Sequence, residues 1–123
     1  MSNLQPVFDR LKLLLQTTVQ DRLTVTEESE TDFILSGPYW EKHKKPAWFG
    51  GVQLKKNYVS FHLMPVYMQP SLLETLSPAL RKRMQGKACF NFKQIDEPLF
   101  AELADLTQRS VAVLLSIVQD ESA

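Results

Sequence analysis

Two runs of β-forming residues, 48–55 and 58–64, are separated only by Lys56-Asn57, a pair suited to a two-residue hairpin turn. No other stretch limits the fold as tightly. Pairing Lys55 with Tyr58 sets the register, and because strand side chains alternate, the face of every residue in both runs follows. Trp48, Val52, Leu54, Val59, Phe61 and Leu63 fall on one face, expected to be core. Gln53, Lys55, Tyr58, Ser60 and His62 share the other. Gly50-Gly51 interrupts the first run, which predicts a bulge or a close approach by another backbone or a ligand.

The flanking segments supply the rest of the architecture. At about 100° per residue, Leu4, Val7, Phe8, Leu11, Leu14, Leu15 and Val19 form one stripe with Leu13 opposite, an amphipathic helix. Leu23 and Val25 alternate with Thr24 and Thr26, and an acidic turn, Glu27-Glu28-Ser29-Glu30, leads into a second strand-like run at 31–36. Gly37-Pro38 is expected to stop that strand, leaving 39–46 as a loop or single turn. Pro65 and Pro70 bracket a connection containing Tyr67, and Ser77-Pro78 is a start signal for a helix ending near Gly86, with Arg81, Lys82 and Arg83 at its cation-favouring C-terminal end. Residues 87–93 alternate Ala88, Phe90 and Phe92 against Cys89 and Asn91, a half-buried strand. Asp96 and Pro98 open a long helix whose stripe is Leu99, Leu103, Leu106, Val113, Leu114 and Ile117, with Glu102, Asp105 and Arg109 facing water.

Hairpins rather than βαβ crossovers dominate this order. It predicts an α+β fold with an antiparallel sheet of about five strands, the N- and C-terminal helices on one face and a short helical segment before the last strand. A length of 123 residues with 44% hydrophobic content suits one domain, 1–123, with a core needing no metal or disulfide. The single cysteine, Cys89, excludes an internal disulfide and any multi-cysteine zinc site. Residues 1–10 lack the pattern of a secretory leader, and no apolar run approaches the roughly 20 residues of a membrane span, so a soluble cytoplasmic protein without a membrane partner is expected.

The strings WFGGVQLKKNYVSFHLMPVY and MQGKACFNFK, followed by a helix reading LFAELADLTQRS, resemble the YdhG-like family over about residues 45–109. The resemblance implies a small α+β domain with helices packed on an antiparallel sheet. It implies little about activity, although some members are described as frataxin-like iron chaperones. A frataxin-like protein would hold iron through an acidic ridge on its first helix and strand. Here the first helix carries only Asp9 and Asp21, while Glu27, Glu28, Glu30 and Asp32 gather around the first turn. Oxygen ligands suit hard cations, so this cluster is the candidate for iron, and a solvated hairpin tip is its plainer explanation.

The other candidate site is the polar sheet face. Gln53, Tyr58, Ser60 and His62 project together, and Asn91 and Cys89 join them if the late strand pairs beside 58–64. Tyr67, Phe49 or Tyr39 would supply aromatic walls, the usual composition of a pocket for a small polar molecule. Ser60 and His62 would be neighbours, but no motif supplies the orienting acid or oxyanion donors of a nucleophilic pair. His62 and His43 fit no standard metal spacing, and Cys89 lacks a CxxC partner or adjacent base. Lys42, Lys44, Lys45, Lys55 and Lys56 beside Tyr39, Trp40 and Trp48 would suit single-stranded nucleic acid if they converged. A formal net charge of zero argues against that partner. The expectation is therefore a non-catalytic binding module without an obligatory cofactor, its partner a small molecule or another protein, with iron delivery as the alternative and nucleic-acid binding as a second.

Overall fold

The helical stripe of the opening residues forms α1 (Gln5–Val19), burying Val7, Phe8, Leu11, Leu14, Leu15 and Val19 and leaving Leu13 49% exposed. A computed structural model describes residues 4–86 and 88–122 of the chain. Five strands follow the helix: β1 (Thr24–Glu28), β2 (Asp32–Trp40), β3 (Lys45–Leu54), β4 (Val59–Leu63) and β5 (Cys89–Phe92). They form one sheet in the order β1-β2-β3-β4-β5, and every pairing is antiparallel. The expected fold class is the observed one. Lys87, the first residue of the expected last strand, lies outside the described residues.

Leu54 pairs with Val59, and the Lys55 amide donates to the Tyr58 carbonyl at 2.9 Å, the register expected from the Lys56-Asn57 turn. The first half of β3 is out of phase with that register. Leu35 opposes Gly50 and Ser36 opposes Trp48, so Phe49 is an extra residue that β2 does not match. Alternation therefore inverts at Gly50-Gly51. Trp48, expected in the core, is 39% exposed on the outer side, whereas Phe49, expected as a ligand wall, is fully buried. Glycine is required at the inversion because a Cβ at Gly50 would lie 2.0 Å from the His62 carbonyl oxygen, and one at Gly51 2.1 Å from that of Phe33.

A second irregularity, between Ser36 and Tyr39, absorbs Gly37-Pro38 inside β2 instead of ending it there. Proline is tolerated in strands at such irregularities because the interrupted ladder needs no donor from it. The expected loop at 39–46 thus shrinks to a turn at 41–44 between two long strands.

β4 ends at Leu63 opposite Gly50, so residues 45–49 of β3 pair with β2 alone. At that point Pro65, compatible with a first helical turn, starts α2 (Met64–Met68), followed by a 3₁₀ turn at Pro70–Leu73. α3 (Pro78–Arg81) is a single turn, not a helix reaching Gly86. Its early end has a cause in pairing: the Asn91 amide donates to the Arg83 carbonyl and the Gln85 amide to that of Cys89, drawing 83–85 along the edge of β5. Met84 forms a β-bridge with Phe90.

α4 (Glu97–Ser122) is capped by Asp96, whose Oδ1 accepts from the Leu99 amide at 3.2 Å. Glu102 does not face open water as expected. It accepts from the Ser77 amide and hydroxyl at 2.7 Å each, clamping the start of α3 to α4. α1 and α4 pack together on one face of the sheet, and α2, the 3₁₀ turn and α3 pack against α4. All seven phenylalanines are at most 2% exposed. At about 1.5–3 kcal/mol per fully buried side chain, these rings are a large share of the stabilisation. No helix among the described residues is long and apolar enough to cross a membrane.

Candidate ligand site on the outer sheet face

Four strands each contribute one residue to a transverse row on the face away from α1 and α4. Asp32 opposes Gln53, Gln53 opposes Ser60, and Ser60 opposes Asn91. The adjacent row is Ile34, Gly51, His62 and Cys89. β5 does pair beside β4, so the condition for Asn91 and Cys89 to join the face is met.

Side chains connect the two rows. His62 Nε2 lies 3.0 Å from Ser60 Oγ and 3.2 Å from Gln53 Oε1, while Nδ1 lies 2.9 Å from Cys89 Sγ. Gln53 Nε2 donates to Asp32 Oδ1 at 2.8 Å, and Thr31 Oγ1 donates to Asp32 Oδ2 at 2.7 Å. Asp32 fixes the direction of the chain. An ionised carboxylate only accepts, so the Gln53 amide nitrogen points to Asp32 and its carbonyl oxygen to His62. Nε2 must then carry the imidazole proton, and Nδ1 accepts from the Cys89 thiol.

Electrostatics support the neutral form. The hydrogen bonds from Thr31 and Gln53 hold the Asp32 carboxyl below the usual range, keeping it ionised. Burial, with Lys55 adding repulsion, pushes the His62 imidazole down, and burial pushes the Cys89 thiol up. A neutral imidazole beside an un-ionised thiol is a poor nucleophilic pair, because the thiolate is the reactive species.

The remaining expected residues are distributed unequally. Ser60 is buried, while Gln53, Tyr58, His62 and Asn91 are half-buried. Among the described residues the Asn91 side-chain amide makes no hydrogen bond, so it retains its full donor and acceptor capacity beside Ser60. Tyr67 is not on this face. It belongs to α2 and lines clefts beyond the end of β4. Trp48 is the aromatic wall that the sequence reading missed, its ring tilted against His62 with 6.3 Å between centroids. The Gly50-Gly51 pair was the signal, because a bulge there turns Trp48 outward. A cleft of about 620 Å³ lies between α1 and the first turn, and two of about 550 and 370 Å³ lie beside α2; none of the three is lined by Gln53, Ser60, His62 or Asn91.

Of the acidic residues around the first turn, Glu28 and Glu30 line one cleft with Asp9 and Lys12. Glu28 pairs with Lys12 at 2.6 Å, and Asp32 is engaged by Thr31 and Gln53. Among the described residues no group of three or more His, Cys, Asp or Glu side chains is placed to hold a metal ion. The lysines do not converge either. Lys45 begins β3 and Lys55 follows its end, which at about 3.3 Å per residue puts the two basic groups at opposite ends of the sheet. Comparisons with protein-family models, curated proteins and solved structures find no match to this chain.

Proposed function

We propose that the chain is a non-catalytic binding protein of the YdhG-like type, whose ligand is a small polar molecule held on the outer sheet face. The observation that supports this most is the His62 ring, fixed in one orientation by groups from three strands on a half-buried, polar surface. Such fixing lowers the ordering cost of binding, since donors and acceptors are already in place. The Asn91 amide would bind the ligand's polar groups, Ser60 and the Gln53–Asp32 pair would orient His62, and Trp48 would flank an apolar edge. Tyr58, on the same side of β4, would border the far end. A protonated thiol and an imidazole biased to its neutral form favour recognition over turnover.

Thermal-shift screening of polar metabolites, with ferrous iron as a separate arm, tests the proposal. A ligand specific for the folded state raises the melting temperature saturably, by mass action. The expected result is a saturable shift abolished by Ser60→Ala and His62→Ala, with both variants folded. A shift given only by ferrous iron, and lost on neutralising Glu27, Glu28 and Glu30, would replace this reading with iron delivery.

A further inference from the structure

The aromatic residues divide sharply by type. Every phenylalanine is buried, yet Trp48, Tyr39 and Tyr67 are 39%, 53% and 55% exposed. These exposed rings gather at one end of the sheet, where residues 45–49 of β3 extend past the end of β4 and α2 turns away. The overhang and α2 bound a groove of about 370 Å³. Trp40, Trp48, Tyr67, Met64 and Met68 form its walls. His43 and Lys45 line it as well, and the His43 ring is set edge-on to Trp40 with 4.4 Å between centroids. This volume lies within the usual range for small-molecule sites, about 300–1,000 Å³.

The chemistry of the lining selects its occupant. Flat indole and phenol faces suit a planar ring system, and methionine side chains adjust to its outline. The lining contains no acidic residue, while Lys45 and the neighbouring Lys42 and Lys44 outnumber Glu41. Aromatic walls alone would also suit an organic cation, but the lysines repel one and attract an anion. We infer that the groove between the overhanging start of β3 and α2 is a second binding site, for a planar aromatic molecule carrying an anionic group. The ring stacks on Trp48 and Tyr67, and the anion meets Lys45 and His43.

The chain has two tryptophans, and both line the groove, so intrinsic fluorescence reports its occupation directly. Anthraquinone-2-sulfonate, planar, anionic and non-fluorescent, is the probe. Saturable quenching is expected, with neutral 2-(hydroxymethyl)anthraquinone binding at least about tenfold more weakly, equivalent to about 1.4 kcal/mol. Lys45→Glu and Tyr67→Ala, each confirmed folded by circular dichroism, should each weaken the sulfonate about tenfold, whereas Lys56→Glu, the same charge reversal in the exposed turn at the other end of β3, should leave its affinity unchanged. Equal binding of the neutral analogue, tighter binding of an aminomethyl analogue, or insensitivity to Lys45→Glu overturns the inference. So does a sulfonate-competed dimer in sedimentation, which would make the groove a contact between two copies. Loss of affinity in Lys56→Glu equal to that in Lys45→Glu would refute a local contact between the anion and Lys45.

Discussion

The two faces of the central sheet are built from the same strands by different physics. On the helix-covered face, Phe33, Val52, Phe61 and Phe90 pack beneath α1 and α4, and burial is rewarded whatever the direction of contact. On the outer face, Asp32, Gln53, His62 and Cys89 are linked through hydrogen bonds that require donor to meet acceptor within about 3 Å. The first face tolerates approximate placement. The second depends on register across four strands, and Gly50-Gly51 is where β3 exchanges residues between them.

The most damaging way to break this comparison is to disturb that exchange. Gly50→Ala would drive a Cβ into the His62 carbonyl at a φ of 143° that L side chains rarely adopt. An unfolding free energy lower by about 4 kcal/mol or more is expected in urea denaturation, and a loss under about 1 kcal/mol would mean that the phase inversion is not structurally enforced. Next in size is the contrast between adjacent aromatics. Phe49→Ala should cost about 3–5 kcal/mol. Trp48→Ala, which empties the outer surface, should cost under about 1.5 kcal/mol. Equal losses would dissolve the assignment of the two residues to opposite faces.

His62→Gln sharpens the outer face alone, since it removes the acceptor for the Cys89 thiol and rearranges the bond to Gln53; about 1–2 kcal/mol is expected. Its pH dependence is the more specific readout. The folded imidazole titrates below its ordinary value of about 6.5, so below that pH the unfolded chain binds the extra proton first. Stability contributed by neutral His62 is therefore complete above about pH 6.5 and is lost as pH falls toward the depressed folded value. The Asp32 contribution begins to be lost only at lower pH, below the ordinary carboxylate value of 3.8, whereas that of His62 begins to be lost below about pH 6.5. A wild-type profile parallel to that of His62→Gln between pH 7 and 5 would remove His62 as the titrating group.

The smallest effect belongs to the helix-covered side. Ser110 Oγ on α4 is the buried side-chain polar atom left without a hydrogen bond among the described residues, whereas the buried hydroxyl of Ser60 on the outer face has a partner. Ser110→Ala should raise stability by about 1 kcal/mol in the same denaturation assay.

Local pattern was a good guide wherever a residue's fate depended on its near neighbours. The α1 stripe, the Lys56-Asn57 turn, the Asp96 cap and the alternation of β5 each involve groups a few positions apart. Errors arose where distant segments overrode local preference. Gly37-Pro38 reads as a stop, but pairing with β3 carries β2 through it to Trp40. Residues 82–86 read as helix, but β5 captures 83–85 by backbone hydrogen bonds. Glu102 reads as solvent-facing because its helical phase is outward, yet Ser77 arrives from 25 residues earlier to use its carboxylate. Within the site, Ser60, His62 and Gln53 were readable from one hairpin, whereas the role of Trp48 and the distance of Tyr67 were not.

The sequence by itself determined an antiparallel sheet with two amphipathic helices, because period and turn chemistry act over a handful of residues and hydrophobic burial is indifferent to direction. Tertiary structure alone decided that Cys89 meets His62 across 27 positions, that Trp48 faces outward, and that α2 leaves a groove beside the overhanging strand. A hydrogen bond is lost with a displacement of about 1 Å, while a single extra residue in a strand reverses the side to which its neighbours point. Those arrangements are fixed only once all the strands are paired.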